Sequence, residues 1–272
     1  MIRLLREEDR AAALALLAMA PQLTLYMWGN LETLGFTRDF CEFWGDVTEE
    51  TPGTYCLNAV LNRYMTGWSV YGKPNADWQG LGQVLDTHPA GAMRLQDNPG
   101  GIVSFLPYLH RYRGEQIKIE ELMNLPEENF RPVAPPMDVT VRRATMDDLP
   151  ALTKFYAVAQ EMARPPAAII RPLQDTRLWL AEKAGNVLAT ALTNAEIRQM
   201  AMIGGVFTAP SARGRGLSQA VCSALCRELF AEGKQPALYW ANPTAGTVYR
   251  KLGFCPIGHW RSVWLEPASS LT

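Results

Sequence analysis

The sequence predicts an α/β protein, a mixed α+β sheet covered by helices and built as two domains in tandem. Three observations predict it. In the second half of the 272 residues, short strand patterns alternate with amphipathic helix patterns. Met200–Thr208 is a near-continuous apolar run of the kind found at the centre of a sheet. Finally, VTVRRATMDDLPALTKFYA, which starts at Val139, repeats the grammar of the opening IRLLREEDRAAALALLAMA. Each has a short strand ending in arginine, an acidic pair, and an alanine- and leucine-rich helix, which is the mark of an internal duplication.

Taken in order, Ile2–Leu5 reads as a short strand. Glu7, Glu8 and Asp9 then open a helix to about Met19, their charges complementing its dipole. QLTLYMWGNLETLGF reads as a further helical segment with a turn. Tyr55–Asn62 and Met65–Val70 read as strands joined in a hairpin at Asn62-Arg63, Asp77–Asp86 as a helix, and Gly100–Phe105 as a strand. The stretch from there to Asn129 has no decisive pattern. Pro126, Pro132, Pro135 and Pro136 make an extended, stiff stretch, which places a first domain at 1–131, a linker at 132–137 and a second domain at 138–272. In the second domain, Arg177–Lys183 and Val187–Leu192 form a hairpin over Ala184-Gly185-Asn186, and Asn194–Arg198 is a connection to Met200–Thr208. A helix runs from Leu217 to Glu232 and stops at Gly233. Ala237–Ala241 is a strand, Pro243–Leu252 a helix with proline in its first turn, and Cys255–Leu265 supplies closing strands.

Composition narrows the function. Hydrophobic residues at 48% and charged residues at 19% fit an ordinary globular protein, and a formal charge of −1 gives no footprint for nucleic acid. Five cysteines without a C-x-x-C pair exclude a disulfide framework and a zinc site as the reading, and point to reduced thiols in a cytoplasm. No stretch approaches 18 uninterrupted apolar residues, so no membrane partner is expected. Cys222 and Cys226, one helical turn apart without histidines, read as core residues.

The chemical signal lies at IGGVFTAPSARGRGLSQAVCSALCR. A buried strand hands, through Arg213-Gly214-Arg215-Gly216, to a helix beginning at Leu217. A helix N-terminus offers free N–H groups and about half a positive charge, and glycines let the backbone approach a ligand, so this is an anion site suited to a pyrophosphate. It is not a P-loop, because Leu217-Ser218 follows Gly216 where Lys-Ser/Thr is needed. Nor is it a dinucleotide loop, because Gln219 stands at the third glycine and no carboxylate follows near Gln235.

The loop resembles motif A of the GCN5-related N-acetyltransferases (GNATs), [RQ]-x-x-G-x-[GA], with Arg213 and Gly216 in place, Gly214, Arg215 and Leu217 between, and Ser218 at the final small position. NPTAGTVYRKLGF, from Asn242, also matches the family's N-x-x-A-x-x-x-Y-x-K-x-G-F. The resemblance covers Asp138–Leu265 and implies the GNAT fold there, with an FR47-like module, beside a degenerate GNAT-like first domain without the loop. It implies acetyl-CoA (coenzyme A) as cofactor, held by the backbone of Arg213–Ser218, by Val206, Phe207 and Thr208 as a strand edge for the pantetheine arm, and by Asn242 and Ala245. Tyr249 takes the place of the general acid, the ordinary alternative being a core aromatic beside Phe254. Glu196 takes the place of the base in some members, and a solvated carboxylate in a polar turn reads equally well. A backbone N–H of Val206 or Phe207 would polarise the carbonyl. The implied activity is acetyl transfer to a primary amine of a small molecule or peptide. The rival is a non-catalytic acyl-CoA sensor or partner-binding protein. The first domain is expected to cover the acceptor cleft, tune specificity or support a homodimer.

Overall fold

The computed structural model describes residues 1–36, 38–51, 54–97, 99–159 and 162–268. The chain folds as two compact units, one of Met1–Glu121 with the residues from Gly258 on, the other Leu122–Ile257. The two run through the same series of elements. In the first unit these are β1 (Ile2–Leu4), α1 (Arg10–Leu17), α2 (Pro21–Leu34), β2 (Cys41–Thr51), β3 (Thr54–Tyr64), β4 (Gly67–Gly72), α3 (Trp78–Thr87), β5 (Arg94–Asp97), α4 (Pro99–Phe105) and β6 (Tyr112–Asn124). In the second they are β7 (Thr140–Arg143), α5 (Leu149–Ala157), α6 (Pro166–Gln174), β8 (Leu178–Lys183), β9 (Asn186–Ile197), β10 (Met200–Thr208), α7 (Leu217–Ala231), β11 (Gln235–Trp240), α8 (Pro243–Leu252) and the start of β12 (Cys255–Pro267), whose residues from Gly258 on belong to the first unit.

The repeated opening has a physical cause. In the first unit Arg3 forks onto Asp9 at 2.7 and 2.6 Å, and Asp9 accepts the Arg6 N–H at 2.9 Å. In the second, Arg142 forks onto Asp148 at 2.8 and 2.7 Å, and Asp148 accepts the Thr145 N–H at 2.8 Å. In both, a carboxylate at the start of a helix ties the preceding strand to it by a bidentate, charge-assisted pair. Duplication of the chain is therefore visible in hydrogen bonds as well as in letters.

The first unit orders its strands β1-β2-β3-β4-β5-β12-β6, with β1–β2, β2–β3, β3–β4 and β5–β12 antiparallel and β4–β5 parallel. Its core gathers Trp68, Leu81, Leu85, Ile102 and Phe105 on one face and Leu17, Met27, Leu31 and Phe43 on the other. The second unit orders β11-β10-β9-β8-β7, with only β10–β11 parallel. Leu217, Val221, Cys222, Leu225, Cys226 and Leu229 recur at helical spacing and bury one stripe of α7 on β8–β10, while α5 and α6 cover the other face around Tyr156 and Leu192.

Several sequence expectations differ from what the chain does. Gly100–Phe105, read as a strand, lies in α4, where Ile102 and Phe105 share a buried face at helical spacing. The ambiguous stretch contains the long strand β6. The Asn62-Arg63 hairpin turns one step later, at Met65, whose φ of 55° takes the left-handed corner. The division of the chain also falls elsewhere than 132–137. The Arg131 N–H bonds Leu252 C=O at 3.0 Å and the Val133 N–H bonds Ser223 Oγ at 2.9 Å, which straps the proline-rich stretch onto the second unit. Arg261–Trp264 of β12 pair with β5, which returns the end of the chain to the first unit. No helix among the described residues is long and apolar enough to cross a membrane.

Candidate active site

The site is built on the C-terminal ends of β10 and β11. Their parallel ladder holds only Met200–Gln235, Ala201–Pro236 and Met202–Ala237 and then stops, although β10 runs on to Thr208 and β11 to Trp240. Beyond Met202 the ladder ends, and the edge of β10 at Ile203–Thr208 has no ladder partner on that side among the described residues. The register with β9 also shifts twice, and Gly205-Val206 make a bulge between the pairs Gly204–Leu192 and Phe207–Thr190. Gly205 has φ +57°, a conformation that side chains rarely take, and a Cβ there would meet Leu192 at 2.7 Å. Its carbonyl is held by two buried hydroxyls, Tyr156 Oη and Thr190 Oγ1, each at 3.0 Å. The bulge sends Val206 into the cluster that contains Tyr249 and Ala245, and Phe207 to the opposite face, 5.2 Å from Phe155. Arg164 lies on that opposite face, 5.9 Å above the Tyr156 ring and bonded to Asn194 Oδ1 at 3.2 Å.

From Thr208 the chain turns through Pro210–Ala212 into the glycine loop. Gly214 and Gly216 have φ of +78° and +73°, and nothing lies within 4 Å of where a Gly214 Cβ would be. Gly216 is the N-cap of α7 and no side chain caps the helix. The first amide to bond within it is that of Ala220, to Gly216 C=O at 3.0 Å. The amides ahead of it point out of an uncapped helix start, the arrangement that binds anions. Thr208 Oγ1 is buried without a hydrogen-bond partner among the described residues, at the end of the opened edge. An open helix start, an unpaired strand edge and an orphaned hydroxyl together fit a ligand with a phosphate end and an amide-bearing arm. The arginines behave differently from one another. Arg213 Nε reaches back to Thr208 C=O at 3.4 Å, whereas Arg215 is bound to Asp138.

Asn242 caps α8, its Oδ1 accepting the Thr244 N–H at 2.9 Å, so its amide nitrogen is not used in the cap. Gly246 allows the helix to touch Trp240, where a Cβ would meet the ring at 2.3 Å. Tyr249, two turns into α8, is 7% exposed, and its ring lies 5.9 Å from Phe254. Burial, with the neighbouring Cys222 adding to it, pushes the phenol well above its usual range, so it stays protonated. The Cys222 thiol is itself pushed up to about 12 by burial and is inert.

Glu196 is the residue the geometry removes from the site. It pairs with Ala201, seven residues before Thr208 and so about 23 Å away at roughly 3.3 Å per residue. Its carboxylate accepts from Arg177 at 2.8 and 2.7 Å, from Lys234 at 2.6 Å and from Thr193 at 2.6 Å. Burial alone would raise this carboxyl, but the hydrogen bonds from Arg177, Lys234 and Thr193 prevail and hold it below the usual range. A general base needs a free lone pair and a pKa near the working pH, and Glu196 has neither. The sequence reading missed Tyr156, Thr190 and Arg164. The pair Gly204-Gly205 inside an apolar strand was the signal for the bulge, but nothing in the sequence said which hydroxyl would hold it.

Residues 183–265 match the family model described as FR47-like protein. Among solved structures, the chain is similar to a putative GNAT-family acetyltransferase from Novosphingobium aromaticivorans, at 19% identity over 78% of this chain and 89% of that one, with a TM-score of 0.56. It is similar to a tandem GNAT protein from the clavulanic acid biosynthesis pathway at 15% identity, covering 100% and 99%, TM-score 0.66. A GCN5-related N-acetyltransferase from Sphaerobacter thermophilus matches at 17% identity over 98% and 95%, TM-score 0.65. The chain is a tandem of GNAT folds. The FR47-like match covers residues 183–265, under half of the chain, and at these identities the solved GNATs speak for the fold alone. No curated protein matches. Within the GNAT frame the loop, the bulge and α8 all fall in the second unit. A surface depression in the first unit, lined by Met1, Arg3, Arg6, Val47 and Tyr55, contains none of the expected site residues.

Proposed function

We propose that the second unit is an acetyl-CoA-dependent N-acetyltransferase acting on a primary amine of a small molecule or peptide. The observation that carries this reading is the uncapped start of α7 beside a parallel ladder that opens after Met202–Ala237. The amides of Gly214–Ser218 hold the pyrophosphate. The free edge at Val206–Thr208, with Thr208 Oγ1 and the Asn242 amide, holds the arm. When bound, acetyl-CoA supplies an activated acetyl group on a thioester. The chain's own contribution is positional and electrostatic. The bulge presents a backbone N–H at Val206 or Phe207 to the carbonyl oxygen, an oxyanion-type contact. Tyr249, kept protonated by burial, gives its proton to the departing sulfur. With Glu196 engaged elsewhere, the amine loses its proton to a water path. Five cysteines kept as thiols fit a cytoplasmic setting.

Titration calorimetry with acetyl-CoA and with CoA, on wild type and on Gly216→Trp, tests the reading. Binding is expected and the tryptophan should abolish it. A panel of amines is then followed by thiol release, with Tyr249→Phe expected to lower turnover by roughly 100-fold, the low end of what a positioned acid contributes. Folded wild-type protein that binds neither ligand sinks the proposal. One observation favours the second reading, an acyl-CoA sensor: Glu196 is clamped and Tyr249 is buried in the core. Tight binding without thiol release to any amine, and a neutral Tyr249→Phe, would select it.

A further inference from the structure

Arg215, in the glycine loop, is already engaged. Arg215 Nη2 donates to both oxygens of Asp138, at 2.7 and 2.9 Å, and Lys183 Nζ donates to Asp138 Oδ2 at 2.8 Å. All three are partly exposed. Each comes from a different element. Arg215 lies in the glycine loop and Lys183 is the last residue of β8. Asp138 sits in the turn closed by the Val139 N–H on Pro136 C=O at 3.0 Å. The register explains the meeting. The β8–β9 turn and the end of β10 lie at one end of the sheet, since Lys183 pairs with Asn186 and Thr208 with Ala189. Two cations converge on one carboxylate, which leaves one positive charge in excess beside the loop.

Resting on the coenzyme A reading above, we propose that Arg215 and Lys183 form a second anion position that takes the 3′-phosphate of CoA, with Asp138 as its internal competitor. CoA carries three phosphates, two in the pyrophosphate and one on the 3′-oxygen of the same ribose. A ligand with its pyrophosphate on Gly214–Ser218 therefore brings a further dianion within one sugar ring of the loop. Arg215 reaches one side-chain length from that loop. A phosphate monoester carries nearly two charges and accepts a guanidinium fork bidentately, so it displaces a carboxylate from the same pair of cations. Asp138 holds the two cations together in its place and limits how tightly they bind the ligand.

The test is calorimetry of CoA against 3′-dephospho-CoA with wild type, Lys183→Ala and Asp138→Asn, each checked for folding by thermal melting. Wild type should prefer CoA. Lys183→Ala should weaken CoA about fivefold, the scale of one exposed ion pair, with little change for 3′-dephospho-CoA. Asp138→Asn should tighten CoA by a similar factor, again leaving 3′-dephospho-CoA unchanged, and 0.5 M salt should shrink both differences. Equal affinity of wild type for the two ligands overturns the proposal, as does an Asp138→Asn variant that weakens both alike, since Asp138 would then only support the loop. Failure of folded wild type to bind either ligand is a different result, which removes the coenzyme A reading itself along with this inference.

Discussion

The two units share a framework and differ at the start of one helix. In both, a strand at the same place in the series leads into a helix, β4 into α3 and β10 into α7, and in both the parallel ladder stops after three pairs. They differ in how it stops: β5 ends at Asp97, one residue past its last pair with β4, whereas β11 runs on from its last pair to Trp240. At α3, Asp77 is the N-cap and its Oδ1 accepts the Gly80 N–H at 2.8 Å, while a second carboxylate, Asp46, accepts the Asp77 N–H at 3.0 Å. At α7 the N-cap is Gly216 and no side chain reaches back. β3 and β4 also pair in unbroken register, whereas β9 and β10 shift twice around Gly205. One copy spends its helix start on its own stability. The other leaves it without a side-chain cap.

The largest expected effect comes from carrying the first unit's cap into the second. Gly216→Asp places a carboxylate where the pyrophosphate would lie. CoA affinity should fall by about 100-fold, since opposing like charges costs several kcal/mol and 1.4 kcal/mol is tenfold. Stability should hardly move. An aspartate cap contributes about 0.5–2 kcal/mol, which offsets the roughly 1–2 kcal/mol cost of a side chain at φ +73°. Calorimetry beside a thermal melt reads both numbers, and unchanged CoA affinity would mean that the open helix start is not the anion site.

A smaller effect separates support from chemistry within the second unit. Arg177, 6% exposed, joins Glu196 to Glu228 and Glu232 on α7. Glu196→Gln should cost about 1–3 kcal/mol, the scale of a hydrogen bond to a buried charge, and leave turnover within about threefold. Loss of turnover at unchanged stability would restore Glu196 as the base. The pH dependence follows from the same bonds. Both glutamates sit below their usual 4.5 in the folded chain, Glu232 at about 2 because Arg177 hydrogen-bonds it. Their contribution is complete above pH 4.5 and is lost as pH falls from there toward 2. Urea midpoints between pH 5 and pH 2.5 should therefore decline, and less steeply in Glu196→Gln.

How much of this was legible in the sequence depended on whether the cause was local. The tandem, the loop and α7 are written in adjacent residues: glycines at positive φ, an apolar stripe at helical spacing, and an arginine and aspartate at matched positions. Long-range causes were not legible. Glu196 took the place of a base by family resemblance, and its polar neighbours in sequence read equally well as a solvated turn. Its partners Arg177 and Lys234 arrive from elsewhere in the fold. The Arg215–Asp138 pair was not legible because the two lie 77 residues apart in the chain. β6 gave no pattern because Tyr112–Ile119 is largely exposed, which erases the alternation that marks a half-buried strand.

The smallest effect runs the comparison backwards. Asp77→Ala removes the cap of α3 and should cost about 1 kcal/mol, a fall of roughly 2–4 °C in the melting temperature if the chain unfolds as one unit. It should not create a ligand site, because the cap is one of four obstacles. The Asp46 carboxylate remains beside the helix start, Lys73-Pro74-Asn75-Ala76 contains no glycine to let a backbone approach, and β4 pairs with β3 without the register shift found between β9 and β10. Made in a Gly216→Trp background, where the second unit is silent, Asp77→Ala should bind no CoA in calorimetry. Measurable binding there would show that a single carboxylate, rather than the loop and the bulge together, is what distinguishes the two copies.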